Sequence, residues 1–273
     1  MRGRSVSRRV RWLALFAALG MQVVALSARS GEMPPGARPP RRISPQVVAT
    51  YPHDRAAFTQ GLVWSEGRLF ESTGLYGASS LREVDLTSGR VLRRVELPAD
   101  LFAEGLARHG QELLQLTWQE QRLLVWDLPT FARRGERRYG GEGWGLTSDG
   151  TRLLMSDGTD RISIRDPSTF AETGSIRVTH DGLPLPALNE LEWAEGRLWA
   201  NVWMTDEIVG IDVTTGRVEV VVDGSSLLDA DARREADVFN GIAYVPARKT
   251  FLLTGKYWPT LFEVRFDESA KAR

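Results

Sequence analysis

Five positions along this sequence carry side chains of different chemistry in the same local context. Each precedes a Gly-Leu, Glu-Leu or Gly-Ile pair, at successive intervals of 44, 40, 45 and 51 residues. The five are Gln60, Glu104, Trp144, Asn189 and Asn240. A carboxylate can transfer protons, amides can hydrogen-bond a developing oxyanion, and an indole can form an apolar wall. If these positions converge in space, they predict an asymmetric pocket.

A second set of positions follows the first by 14 residues in four cases and by 16 in the fifth. Its members are Gly74, Trp118, Gly158, Trp203 and Lys256. Taken singly, these residues have a simpler explanation, because Trp in strands is usually core and a lone Glu or Lys in a strand usually faces water. The register shared by both sets favours the functional interpretation for the set as a whole.

Both sets belong to a unit that returns five times, each time with three strand-like apolar runs. Repeats of roughly 40–50 residues with several short strands are typical of propeller blades, because one small sheet cannot bury both faces alone. We therefore predict an all-β fold, a five-bladed β-propeller over residues 46–268, with the two sets lining its central channel. No fourth strand follows the fifth unit, so residues 46–51 are expected to complete the last blade and close the ring.

The N-terminal segment predicts export. Five arginines precede an apolar run at residues 12–26, and small residues follow, which is typical of a signal peptide over residues 1–28. An uncleaved anchor is the alternative; otherwise we expect no stable membrane span after cleavage and a secreted or periplasmic protein. Residues 29–45 are expected to be a Pro/Arg-rich linker, and residues 269–273 a tail.

Composition and spacing exclude several classes of function. The chain has no cysteine, which excludes disulfides and a thiol nucleophile. Lysine plus arginine and aspartate plus glutamate number 35 each, so removal of the arginine-rich signal leaves a net charge of about −5, which argues against a nucleic-acid partner. The three histidines lack metal-ligand spacing, and no serine lies in a Gly-x-Ser-x-Gly motif. We expect a monomer without a cofactor or a metal.

Glu104 remains as the candidate acid or base. Among indoles and away from water its pKa would rise, which suits a carboxyl to proton transfer near neutral pH. Lys256 has two possible roles, since it could pair with Glu104 and oppose that rise or stabilise an oxyanion. The sequence leaves this choice open.

Seven fragments together resemble the plant and bacterial type of glutaminyl-peptide cyclotransferase. They are YPHD (51–54), FTQGL (58–62), ESTGLYG (71–77), FAEGL (102–106), GWGL (143–146), LNELEW (188–193) and TGK (254–256). The resemblance implies a five-bladed propeller that converts N-terminal glutaminyl residues of peptides to pyroglutamate with release of ammonia, without the catalytic zinc of the animal type. It also implies a channel lined by nine residues, with Glu104 as the proton carrier. We expect Glu104, Lys256 and Asn189 to be catalytic, and Phe58, Gln60, Phe102, Trp118, Trp144 and Trp203 to bind the substrate.

Two alternatives belong to other classes. One is a non-catalytic propeller that binds peptide N-termini or another small ligand, in which Glu104 is a fixed counter-ion. The other is a calcium-dependent propeller lactonase, although Lys256 and three indoles fit a bound cation poorly. Glu71 lies in the most conspicuous motif, but its repeat equivalents place it in mid-strand and off the channel. The physiological substrate, the export route, a structural calcium ion and the identity of the oxyanion donor among Lys256, Asn189 and Gln60 stay open.

Overall fold

The computed structural model describes residues 38–267, which belong to one compact unit built almost wholly of short strands. The predicted signal peptide, the tail and most of the predicted linker lie outside the described residues. Two strands precede the repeated units: β1 (Arg41–Ile43) and β2 (Gln46–Pro52).

The first three units each form a four-stranded antiparallel sheet in chain order. The first contains β3 (Thr59–Ser65), β4 (Arg68–Thr73), β5 (Ser80–Val84) and β6 (Val91–Glu96). The second contains β7 (Ala103–His109), β8 (Glu112–Thr117), β9 (Arg122–Asp127) and β10 (Arg133–Arg138). The third contains β11 (Leu146–Ser148), β12 (Leu153–Ser156), β13 (Arg161–Arg165) and β14 (Glu172–Arg177).

The remaining chain forms two sheets and a short helix. Its strands are β15 (Thr179–His180), β16 (Leu183–Pro184), β17 (Leu188–Ala194), β18 (Arg197–Val202), β19 (Glu207–Asp212) and β20 (Arg217–Asp223), then α1 (Ala230–Glu235), β21 (Phe239–Val245), β22 (Thr250–Gly255) and β23 (Thr260–Arg265). The last sheet has the order β21-β22-β23-β2. The predicted closure by the N-terminal strand is confirmed, because β2 pairs antiparallel with β23 from Gln46 opposite Arg265 to Pro52 opposite Thr260.

The prediction of a five-bladed propeller is wrong as it was made. The structure has four blades of four strands, and the fourth unit lies instead in a seven-stranded sheet. The outer edge of β20 explains the difference. Its Arg217 end pairs with β15, and residues Val220–Val222 pair in parallel with β1, so two short segments cover an edge that would otherwise be open.

The prediction that residues 29–45 form a linker is also wrong at the C-terminal end of that segment. Residues 41–43 form β1, and Ile43 is buried in a core cluster with Val220 and Val222. Arg42 makes an ion pair of 2.7 Å with Glu207.

The core lies between neighbouring sheets. The central strands are buried on both faces, as in β8 and β9, whereas β10 is largely exposed. Doubly buried strands read as continuous apolar runs rather than alternating ones. The first strands of the five sheets contact one another in the closed order β3, β7, β11, β17 and β21. Within residues 38–267 no helix has the length and apolar character needed to cross a membrane.

Candidate active site

Irregular strand pairing presents most of the first set of residues. The pairing register of β3 against β4 shifts around Gln60. The register of the first strand in three other sheets shifts in the same way around Glu104, Asn189 and Asn240. A bulge redirects a side chain from the regular alternation of the strand, and bulges are frequent beside active sites. Trp144 lies two residues before β11 begins. The ring of first strands therefore presents these side chains at its centre.

Glycines allow these strands to approach so closely. A Cβ atom at Gly61 would lie 2.5 Å from the Leu106 nitrogen, and one at Gly105 would lie 2.5 Å from the Leu146 nitrogen. The same position in the fourth unit is Glu190. Its carboxyl is fully buried and accepts hydrogen bonds from the backbone nitrogens of Leu62 (3.1 Å) and Ile242 (2.9 Å). Glu190 thus connects the inner strands of three sheets.

A chain of polar contacts joins three members of the first set. Gln60 Nε2 donates to Glu104 Oε1 at 2.9 Å, and Asn240 Nδ2 donates to Gln60 Oε1 at 3.3 Å. Glu104 is 6% exposed. Its backbone oxygen accepts from Ser72 Oγ at 2.5 Å, which holds the bulge in place.

The electrostatic surroundings of Glu104 suit proton transfer. Burial raises its pKa well above the ordinary value; the Lys256 charge opposes this rise, and the Glu142 and Glu120 charges reinforce it. Burial likewise lowers the pKa of Lys256, while Glu104 and then Asp237 oppose that change. Each of the two buried groups therefore stabilises the charge of the other.

An aromatic wall extends from Lys256. Its Nζ lies 4.5 Å from the centre of the Phe58 ring, which meets the Phe102 ring edge to face at 6.0 Å. Phe102 in turn meets Trp118 at 5.7 Å. A Cβ atom at Gly74 would overlap the Phe102 ring, so the glycine in this second-set position makes room for the wall.

A second aromatic group comes from the third and fourth units. The Trp144 and Trp203 rings lie 5.5 Å apart, edge to face, and Trp144 covers Gly158 as Phe102 covers Gly74. Glu142 joins the two aromatic groups, because its Oε2 accepts from Trp118 Nε1 at 2.8 Å and from Trp144 Nε1 at 3.0 Å.

The bulge in β17 turns the Asn189 side chain out of the regular strand alternation. Within residues 38–267, Asn189 makes no hydrogen bond to either aromatic group. Its backbone oxygen accepts from Ser156 Oγ at 2.6 Å. Its side-chain Oδ1 is buried, and no hydrogen-bond partner for it exists among residues 38–267. An amide held in this way retains hydrogen-bonding capacity for a ligand.

Four residues around these aromatic side chains were not predicted from the sequence. Tyr257 contacts Phe58 at 5.4 Å and Tyr76 contacts Phe102 at 5.3 Å between ring centres. Glu120 accepts from Tyr76 Oη at 2.7 Å, and Glu142 contacts the indoles. Tyr76 and Tyr257 each lie close after a second-set position, a proximity that could have marked them. The two acids also follow the spacing, since Glu120 lies two residues after Trp118 and Glu142 lies two residues before Trp144.

Glu71 has a separate environment in the middle of β4. Its Oε1 lies 3.1 Å from His53 Nε2 and accepts from Thr59 Oγ1 at 2.8 Å, and Arg82 lies 3.8 Å from the other oxygen. Burial alone would raise the pKa of Glu71, but His53 and then Arg82 outweigh burial and hold it below its usual value. These contacts link the first sheet to the segment that follows β2.

The described residues contain no group of three or more His, Asp or Glu side chains arranged to hold a metal ion. The independence of the chemistry from metal stays a prediction.

The fold and the site define a β-propeller with a buried carboxyl, a buried ammonium and indole walls at its centre. The glutamine cyclotransferase family profile matches residues 16–266, and the chain belongs to this family. A glutaminyl-peptide cyclotransferase of Arabidopsis thaliana is 37% identical over 230 residues, which cover 82% of this chain and 72% of the relative. The crystal structure of Myxococcus xanthus glutaminyl cyclase matches with a TM-score of 0.78 and 40% identity, over 83% of this chain and 97% of that one. These matches confirm the resemblance predicted from the sequence and support a glutaminyl-peptide cyclotransferase.

Proposed function

We propose that the protein cyclises N-terminal glutaminyl residues of peptides to pyroglutamate, with Glu104 as the proton carrier. The observation that carries this proposal is the Glu104 carboxyl itself, which is buried, interacts with the Lys256 charge and has a raised pKa. A general acid-base group is most effective when its pKa lies near the working pH.

The reaction places two demands on the pocket. The substrate α-amine must be neutral, and its side chain must fold back so that the amine nitrogen reaches the γ-carboxamide carbon. Binding in a bent conformation converts this approach into a prearranged one. Phe58, Phe102 and the indoles of Trp118, Trp144 and Trp203 supply apolar walls for that conformation.

Glu104 then carries one proton from the attacking amine to the leaving nitrogen. As the amine nitrogen bonds to the carbonyl carbon of the side-chain carboxamide, Cδ, Glu104 takes a proton from the amine, and the carbonyl oxygen becomes an oxyanion. When the oxyanion collapses, the bond to the carboxamide nitrogen breaks, and Glu104 returns the proton so that ammonia leaves. The products are the lactam ring of pyroglutamate and one ammonia molecule.

Three groups are candidates to stabilise the oxyanion. Gln60 Nε2 already donates to Glu104, and Lys256 balances the Glu104 charge. Asn189 has a buried side chain whose Oδ1 lacks a partner in residues 38–267, and the Nδ2 group of the same amide is the atom that can donate to an oxyanion. We assign the oxyanion contact to the Asn189 amide, with Lys256 contributing its positive charge.

The proposal also covers the partners and the location of the protein. The substrates are peptides or proteins with N-terminal glutamine, and the protein acts as a monomer in the periplasm or outside the cell after signal cleavage. The location rests on the signal-like N-terminus, and the mature chain's excess of acids argues against a nucleic-acid partner.

The direct test is release of ammonia from a glutaminyl dipeptide by the purified protein, with and without chelator. We expect cyclisation at the same rate in both. Loss of activity with chelator and its return with added metal would refute metal independence, and absence of cyclisation in every condition would favour the peptide-binding alternative.

A further inference from the structure

We propose that Glu142 is a positioning residue that holds the indoles of Trp118 and Trp144 in one arrangement. This inference rests on the proposed function, because its consequence is a pocket whose walls are set before a glutaminyl side chain enters. Glu142 lies two residues before Trp144, the place that Phe58 and Phe102 hold in their units, but it was not among the predicted site residues.

The hydrogen bonds of Glu142 carry the proposal. Its Oε2 accepts from Trp118 Nε1 and Trp144 Nε1, at 2.8 and 3.0 Å, and its Oε1 accepts from Gln119 Nε2 at 2.9 Å. The two indoles come from different sheets, so one carboxylate spans the seam between the second and third units. Hydrogen bonds to an ionised acceptor are about twice as strong as neutral ones.

The loop that carries Glu142 is itself anchored. Gly143 N donates to the Trp118 backbone oxygen at 2.9 Å. A side chain at Gly143 would overlap the Tyr139 hydroxyl, and that hydroxyl donates to the Thr117 backbone oxygen. The backbone on both sides of the Glu142–Trp118 contact is therefore fixed, so the carboxylate has a defined position from which to accept.

Glu120 provides a matched comparison in the adjoining loop. It is half-buried like Glu142, and both carboxylates act on the Glu104 charge in the same direction. Its partners differ, because Glu120 accepts from Tyr76 Oη at 2.7 Å and from Phe102 N at 3.4 Å. Replacing either acid by Gln removes one negative charge near Glu104, but only Glu142→Gln replaces the charged acceptor of the indoles by a neutral amide oxygen, which accepts more weakly.

The test compares Glu142→Gln with Glu120→Gln by kinetics and by the indole ¹H–¹⁵N resonances of the full-length mature protein. Trp118→Phe and Trp144→Phe assign the two relevant resonances. We expect both to move in Glu142→Gln and to stay in place in Glu120→Gln. We also expect Glu142→Gln to lower kcat/KM for a glutaminyl dipeptide about tenfold or more, the factor typical of one hydrogen bond to a charged group.

Unmoved indole resonances in Glu142→Gln, or a kcat/KM equal to that of Glu120→Gln, would overturn the proposal. If Glu142→Gln fails to fold, Trp144→Phe tests the same contact from the donor side, since phenylalanine keeps an aromatic wall and cannot donate. A kcat/KM unchanged in Trp144→Phe would then refute the role. The resonances do not depend on turnover, so a wild type without cyclisation would count against the proposed function, while the spectra still decide whether Glu142 holds the indoles.

Discussion

The Glu104→Gln substitution separates proton transfer from shape at the centre of the pocket, because glutamine keeps the size of the side chain and loses the titrating proton. We expect kcat to fall by roughly 10² to 10⁴, the range of general acid-base groups, while a non-reacting substrate analogue still binds. Turnover and analogue affinity measured side by side check this. Near-normal turnover would remove Glu104 from the chemistry, and loss of binding would support a counter-ion role.

Glu71→Gln is the paired control for this experiment. Glu71 is a buried carboxyl like Glu104, but its partners are His53, Thr59 and Arg82. We expect its replacement to lower the melting temperature, because a buried ion pair is broken, and to leave kcat of the folded fraction close to wild type.

Lys256→Met should move the pH dependence in a defined direction. The Lys256 charge lowers the Glu104 pKa against the effect of burial, so its removal raises that pKa further. Glu104 accepts a proton only when ionised, and the acid limb of kcat/KM should therefore shift to higher pH. Deprotonation of the substrate amine also shapes the pH profile of kcat/KM. Because the substrate is the same for every variant, this contribution does not change and serves as an internal reference.

The matched control is Lys249→Met, which makes the same change at an exposed turn and should leave the pH profile in place. A fall in kcat for Lys256→Met without a shifted limb would assign Lys256 to the oxyanion instead.

At the scale of the strands, Glu190 replaces the glycine found at the same position in the other four units. Burial raises its pKa well above the ordinary value, which the backbone hydrogen bond from Leu62 and then that from Ile242 partly offset. Replacement by glycine would leave two buried N–H groups without this acceptor. We expect Glu190→Gly to lower the free energy of unfolding by about 1–3 kcal/mol for each of them.

Urea unfolding at pH 7 measures this loss. Glu190→Gln keeps one accepting oxygen and should lose about half as much. Glu219→Gln, in the same sheet, removes an exposed partner of Arg197 and should change stability by less than about 1 kcal/mol. Equal stabilities for all three variants would show that Glu190 does not bind the inner strands together.

The first strands were predictable because the units share one register. A polar or aromatic residue, at a bulge in every unit but the third, is followed by a glycine that permits close approach in every unit but the fourth. That regularity placed Gln60, Glu104 and Asn240 in register, and the structure links them through hydrogen bonds. Glu120 and Glu142 were not found in this way, although each lies two residues from a marked position, Trp118 and Trp144 respectively. A carboxylate in a loop usually faces water, and only folding brings Glu142 to the Trp118 indole.

The seven-stranded sheet was missed for a related reason. The added strands β1, β15 and β16 have two or three residues each, which is too short for any periodicity. Arg41–Ile43 is also hidden by the arginine- and proline-rich composition around it. Its pairing depends on the open edge of β20, more than 170 residues away in sequence, and local pattern does not report such a contact.

At the scale of the whole molecule, the N-terminal segment closes two sheets, and three truncations separate its contributions. A chain that begins at residue 41 is the reference, because it keeps β1 and β2. A chain that begins at residue 44 loses Ile43 from the core and the Arg42–Glu207 pair. We expect this to cost about 1.5–3 kcal/mol, since full burial of an isoleucine contributes that much and an exposed ion pair adds little.

A chain that begins at residue 53 loses all of β2 as well. The hydrogen-bonding edge of β23 is then open from Thr260 to Arg265, and buried Leu261 and Val264 lose the strand beside them. We expect aggregation or a far larger fall in melting temperature than for the chain beginning at residue 44, because an exposed long edge invites pairing with other chains. Thermal unfolding and light scattering of the three chains provide the measurement. Equal melting temperatures for the chains beginning at residues 41 and 53 would mean that β2 contributes nothing to closure, and the ring would then have to be held by contacts between the inner strands alone.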